Sequence, residues 1–224
     1  MIKSSRCSHE VMGRLFDLTC AGTGLVLLSP VLALIALTIL LSDAPPVFFR
    51  QTRVGRHGRP FRIWKFRTMR TCVHGSAITA AGDDRITKIG AKLRRHKLDE
   101  LPQLINVLMG DMSVVGPRPE MPEYVESDAP IWREVLLARP GITDLATLLF
   151  RDEENILIAG SDLESLYREH VLPAKLALNL GYLRSRSFWQ DIKLILLTIH
   201  YSLFPAEFDP DFIKEAFHAD AMQA

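Results

Sequence analysis

From Leu18 to Leu41 the chain carries no charged residue. As a straight α-helix this run would rise about 36 Å, against a bilayer hydrocarbon core of roughly 30 Å. It is too long for a secretory signal, and no small-residue cleavage pattern follows it. Ser29-Pro30 sits in its middle. Proline removes a helical hydrogen bond and crowds the preceding turn, so a break or sharp kink is expected there, with the serine hydroxyl free to serve the orphaned carbonyl. Both flanks are basic. Lys3, Arg6 and Arg14 precede the run; Arg50, Arg53, Arg56, Arg59, Arg62, Lys65, Arg67 and Arg70 follow it, with no acid between Asp43 and Asp83. Basic flanks stay cytoplasmic. A re-entrant helix that enters, bends at Ser29-Pro30 and returns satisfies both flanks, whereas a kinked span satisfies one. A buried helix in a soluble core is the remaining alternative.

The charge is segregated. Residues 1–100 hold 17 Lys and Arg against 7 Asp and Glu, and the remainder 10 against 19, behind a net charge of only +1. A basic front half beside an apolar run points to an anionic partner: phosphate, nucleic acid or lipid headgroups. Cys7, Cys20 and Cys72 form no CxxC pair, which argues against a disulfide framework and for a reducing compartment. His9-Glu10 is not followed by the second histidine of a zinc motif, so zinc chemistry is not expected.

Val47-Phe48-Phe49 and Phe61-Arg62-Ile63-Trp64 read as short strands joined by a turn from Gly55 to Pro60, a β-hairpin. Residues 84–97 read as a basic helix or turn. Leu98 to Met109 reads as one amphipathic helix, with Pro102 in its first turn and Gly110 ending it. Segments 120–138 and 162–183 read as helical. Phe188 to Phe204 is too short to span and suits the membrane interface, with Trp189 as an anchor. The fold class expected is predominantly α with a short β-hairpin.

Asp99-Glu100, at the start of the expected helix, has a plain explanation as cap and dipole complement. The run Arg94-Arg95-His96-Lys97 before it and the basic hairpin upstream suggest more. Phosphate-bearing substrates repel bare carboxylates, so cations must accompany them. Two carboxylates suit Mg²⁺, which keeps several waters and bridges to phosphate. One of the pair would serve as nucleophile toward phosphorus, the other as metal ligand or proton acceptor.

Several ordered blocks carry a resemblance. They are Val47-Phe48-Phe49-Arg50-Gln51 with Arg53-Val54-Gly55, Lys65-Phe66-Arg67-Thr68-Met69, Leu98-Asp99-Glu100-Leu101-Pro102-Gln103, Asn106-Val107, Gly110-Asp111-Met112-Ser113, Val115-Gly116-Pro117-Arg118-Pro119 and Arg139-Pro140-Gly141-Ile142-Thr143. Together, over about residues 11–200, they resemble the small monotopic phosphoglycosyl transferases of the bacterial sugar transferase family. The resemblance implies transfer of a sugar-1-phosphate from a UDP-sugar to undecaprenyl (polyprenyl) phosphate, with release of UMP. That is the first membrane step of a polysaccharide such as an exopolysaccharide, or of a glycoconjugate. It implies Asp99 as nucleophile in a covalent aspartyl-phosphosugar intermediate, and Glu100 in metal handling and proton transfer, with Mg²⁺ as cofactor. Lys65, Arg67, Arg94, Pro117 and Arg118 match positions near the phosphates or nucleotide, and Ser29 and Pro30 match the break of a re-entrant membrane helix. The expected organisation is a membrane helix over 1–43 and a single catalytic region over 44–224, a minimal unit of the family. The expected place is the bacterial inner (cytoplasmic) membrane, active site on the cytoplasmic face. Membrane lipids are further partners, with a homodimer and downstream glycosyltransferases beside them and no nucleic acid. After Arg139-Pro140-Gly141-Ile142-Thr143 the chain departs from the family string. Asp144-Leu145-Ala146-Thr147-Leu148-Leu149-Phe150 and the acidic residues 152–154 stand there, so the resemblance assigns no sugar. A membrane-bound scaffold would not require Asp99 and Glu100, and a hydrolase of the lipid-linked product would pass the phosphosugar to water.

Overall fold

The computed structural model describes residues 2–42, 45–70, 83–151 and 163–219, with the side chains of residues 2–10 excepted. The expected boundary at 43/44, Cys72 and the acidic residues 152–154 lie outside the described residues. The first element is α1, Ile2–Ser42, with Pro30 inside it. Helical structure runs through Ser29-Pro30 without interruption. Pro30 has no N–H for the carbonyl of Val26, and Ser29 Oγ donates to that carbonyl at 2.8 Å instead. The serine rescue expected from the sequence is thus present, and the cost of the proline is confined to one bond. Within α1, Val11–Ser42 is long and apolar enough to cross a membrane, and little of it is covered by the rest of the chain.

The hairpin is longer than the sequence suggested: β1, Phe48–Val54, pairs antiparallel with β2, Pro60–Phe66. Helix α2, Lys88–Arg95, is capped by Thr87 Oγ1, which accepts from Gly90 N at 2.9 Å. The single helix expected from Leu98 to Met109 is divided. Pro102 offers no N–H to Leu98, so Leu101 N takes the Leu98 carbonyl and the start tightens into a 3₁₀ turn, Leu98–Glu100. The α-helix proper, α3, is Gln103–Met109, ended by Gly110 at φ 91°. Segment 120–138 is mostly irregular, with a 3₁₀ turn at Pro122–Tyr124 and α4 at Pro130–Val135. Its prolines at 122 and 130 start short turns but leave no room for a long helix.

A parallel pair not foreseen from the sequence joins β3, Ser113–Val115, to β4, Gly141–Thr143. Then follow α5, Leu145–Leu149, and α6, Leu163–Leu166, which passes through a π-helical turn, Tyr167–Val171, into α7, Leu172–Ser185. Helices α8, Phe188–Leu203, and α9, Pro210–Phe217, close the described chain. Val115, Leu145, Leu178, Leu194, Ile213 and Phe217 form one core. Trp132, Val135, Tyr167 and Leu176 form a second.

The two arms of α1 dock on the same body. On the N-terminal arm Ala21 packs with Ile63, Val107 and Met112. Asp17, buried in an apolar helix, accepts from Ser113 Oγ and Val114 N, both at 2.9 Å. Arg14 donates to the Val107 and Leu108 carbonyls at 2.7 and 3.1 Å, at the C-terminal end of α3 where the helix dipole favours a cation. On the C-terminal arm Ile35 and Ile39 pack with Phe66 and Leu93.

Candidate active site

Three elements converge on Glu100. Strand β2 supplies Lys65, whose Nζ lies 2.7 Å from Glu100 Oε1. The loop after β3 supplies Arg118, whose Nη2 donates to the same oxygen at 2.9 Å while Nη1 reaches Oε2 at 3.5 Å. The 3₁₀ turn itself buries both carboxylates, each 6% exposed.

The supports of these groups are local and specific. Asn106, on α3, clamps β2 by accepting from Trp64 N at 2.9 Å and donating to the Arg62 carbonyl at 2.8 Å. That fixes the strand one residue from Lys65. Arg118 is held by a close crossing of two backbones. A Cβ on Gly141 would stand 2.1 Å from Gly116 N, and one on Gly116 would stand 2.3 Å from the Arg139 carbonyl. Only glycine fits at either position, which is why both turn up in the motifs flanking the site. On the far side of the loop Arg53 donates to the Pro119 carbonyl at 3.3 Å and lies 3.7 Å from Glu120, which also accepts from Tyr167 Oη at 3.0 Å. The turn is entered through Lys97 in the left-handed region at φ 54°, an uncommon conformation for a side chain of this size.

The neighbouring carboxylates are made unlike by these surroundings. Burial pushes Glu100 up, but Arg118, Lys65 and Lys97 outweigh it and hold its carboxyl well below the usual range. Burial raises Asp99 above the ordinary aspartate value, and the charge of Glu100 adds to the rise although Lys65, Lys97 and Arg94 oppose it. Asp99 Oδ1 is enclosed and has no hydrogen-bond partner. Burial also lowers the Lys65 ammonium below its ordinary value against the pull of Glu100. Glu100 is therefore an anion paired mainly through Oε1, and Asp99 a more basic carboxylate with an unused oxygen.

Of the residues singled out in the sequence, Asp99, Glu100, Lys65 and Arg118 come together, and Arg94 is near enough to act on Asp99 electrostatically. Arg67 and Pro117 join the frame through their backbones: Arg67 N donates to the Val47 carbonyl at 2.9 Å and the Pro117 carbonyl accepts from Gly141 N at 3.0 Å. Ser29 and Pro30 lie on α1, away from these contacts. Not singled out were Arg53, Lys97, Gln103 and Glu120. The spacing of the chain gives no signal for an Arg53–Glu120 pair, whereas Gln103 stood in a motif with no role attached.

Among the described residues no three His, Cys, Asp or Glu side chains cluster to cage a metal. Mg²⁺ does not need such a cage, since it binds through one or two carboxylates with water and substrate phosphate. The partnerless Asp99 Oδ1 beside Glu100 fits that mode.

Residues 8–205 match the family described as bacterial sugar transferase. The chain is 39% identical over 197 residues to a UDP-glucose:undecaprenyl-phosphate glucose-1-phosphate transferase of Escherichia coli K12, covering 85% of this chain and 40% of the relative. It is 38% identical over 199 residues to a protein of the same name from Caulobacter vibrioides, covering 87% and 70%. With a UDP-N-acetylgalactosamine-undecaprenyl-phosphate N-acetylgalactosaminephosphotransferase of Aeromonas hydrophila the figures are 35% over 196 residues, 85% and 43%. The chain thus spans less than half of two of these relatives and more than two thirds of the third.

Proposed function

The chain belongs to the bacterial sugar transferase family, and on that premise we propose that it transfers a sugar-1-phosphate from a UDP-sugar to undecaprenyl phosphate. The reaction begins polysaccharide or glycoconjugate assembly. The observation that carries the reading is the inequality of the two carboxylates: Glu100 is engaged by Lys65 and Arg118, while Asp99 keeps an oxygen without a partner.

In the first step a carboxylate oxygen of Asp99 attacks the β-phosphorus of the UDP-sugar. The bond from that phosphorus to the bridging oxygen breaks, UMP leaves with the electron pair, and the sugar phosphate remains on Asp99 as an acyl phosphate. In the second step a phosphate oxygen of the lipid carrier attacks the same phosphorus, and Asp99 is released as carboxylate. Burial makes Asp99 a stronger base and hence a better nucleophile than a solvated aspartate. Lys65 and Arg118, held in place by Glu100, supply the positive charge that pyrophosphate requires. Asp99 and Glu100 would hold Mg²⁺, which would neutralise charge on the substrate phosphates when bound. Because the named relatives act on different sugars, the sugar is left open.

A re-entrant disposition of α1 at the cytoplasmic face of the inner membrane suits this chemistry, since a soluble nucleotide sugar and a lipid phosphate must reach one site. The contacts of α1 support it. Asp17 and Ile39 are about 33 Å apart along a straight helix, comparable with the hydrocarbon core. A span would place them on opposite sides of the bilayer, yet both are held by one small body. Exposed Val26, Leu27, Leu34 and Leu37 leave an apolar surface for lipid between those anchors.

The test is incubation of detergent-solubilised protein with Mg²⁺ and UDP-glucose or UDP-N-acetylgalactosamine, with and without undecaprenyl phosphate. Expected are a stoichiometric burst of UMP without acceptor, steady turnover with it, and a sugar-phosphate adduct absent from Asp99→Asn. Continuous UMP release without acceptor would instead mark a hydrolase.

A further inference from the structure

Asp99 Oδ1 is not the only enclosed polar atom at the site without a partner. Gln103 is 1% exposed and its Nε2 has no hydrogen-bond partner either. Its place is set by its neighbours. Glu100, three residues before it, reaches β2 at Lys65; Asn106, three residues after it, reaches β2 at Arg62 and Trp64. Residues three apart on a helical path share a face. Gln103 therefore lies on the same side of α3, between these two contacts and one turn from Asp99.

A buried N–H without an acceptor opposes folding, and a methionine of similar length would fill the space without that penalty. Asp99 Oδ1, an acceptor without a partner four residues earlier in the chain, is not engaged by it in the ligand-free chain. We infer that Gln103 contacts the substrate, its carboxamide N–H donating to a non-bridging oxygen of the phosphoryl group that Asp99 receives. This rests on the reading of Asp99 as nucleophile. The donor is fixed on the helix that follows the nucleophile's own turn, so it is in position before charge develops on phosphorus. It complements Lys65 and Arg118, which bring charge from β2 and from the loop after β3 and are already committed to Glu100 in the resting site.

The experiment compares wild type, Gln103→Met and Gln103→Glu under single turnover with UDP-glucose and UDP-N-acetylgalactosamine, without lipid acceptor, alongside thermal melts. Gln103→Met is expected to melt at or above the wild-type temperature, because an enclosed donor is removed. It should release UMP on the order of 100-fold more slowly, with the half-saturating UDP-sugar concentration within about threefold of wild type. A residue that only fills space would give no such split. Gln103→Glu sets a carboxylate against the phosphoryl oxygens and should be slower still. Both variants releasing UMP within about twofold of wild type would overturn the inference while leaving the transferase reading intact. A wild-type protein that releases no UMP from either donor would overturn both. If Gln103→Met fails to fold, Gln103→Glu decides the matter on the same readout.

Discussion

Glu100 accepts from an ammonium and a guanidinium at once, and the fate of Asp99 depends on that arrangement. On the proposed mechanism Asp99 must be ionised to attack, and its value is raised, so UMP release should rise with pH through an acid limb lying above the ordinary aspartate range. Lys65→Met removes a cation that opposes the rise, and the limb should move to higher pH; Glu100→Gln removes an anion that adds to it, and the limb should move lower. Both shifts are read from single-turnover rates across pH. Glu100 has the opposite sign. Its depressed value contributes stability that is present above about pH 4.3, the unfolded glutamate value, and is lost as pH falls through the folded value. Glu100→Ala takes this carboxylate from the half-buried Lys65 and Arg118 and should cost about 1–3 kcal/mol in denaturant unfolding. The sequence made Asp99, Glu100, Lys65 and Arg118 visible because their types and local surroundings suit phosphate chemistry. Lys97 and Arg53 act through geometry that spacing does not reveal. One enters the turn with a positive φ, and the other braces a loop distant in the chain.

At the scale of elements, the site is a meeting of short pieces whose backbones are locked together. The Gly116–Gly141 crossing is the tightest of these. Gly141→Ala puts a methyl group 2.1 Å from Gly116 N, so β3 and β4 must separate and carry Arg118 away from Glu100. A displacement of about 1 Å at a catalytic group costs on the order of 100-fold in rate, and the variant should show that loss in UMP release with a lowered melting temperature. Asp17→Ala strips the acceptor from Ser113 Oγ and Val114 N and should cost about 1–3 kcal/mol per donor left enclosed. The hairpin and the long helices were legible because their periodicity is strong. The division at Pro102 and the irregular course of 120–138 follow from prolines whose effect depends on which carbonyl they leave unserved. The parallel β3–β4 pair was not legible at all. Two three-residue strands carry too little pattern, and what joins them is the fit of two glycines.

For the molecule as a whole, the apolar run announced a membrane partner, and the basic flanks are the ground for the side proposed. What the sequence could not announce is that the anchor and the chemistry are mechanically one piece. Cysteines placed before residue 14 and after residue 45 should both label from the cytoplasmic side in intact cells, and labelling from opposite sides would remove the re-entrant proposal. Arg14 ties the N-terminal arm of α1 to the last carbonyls of α3, and the first residue of α3 lies three positions from Glu100. A seven-residue helix is only about 10 Å long, so on the proposed disposition of α1 the bilayer and Asp99 are separated by a short strut. Lipid thickness is then expected to bear on the reaction rate. Reconstituted in vesicles of graded acyl-chain length at fixed acceptor content, the enzyme should show a rate optimum at one thickness. Arg14→Ala, by cutting the strut at its lipid end, should flatten that optimum.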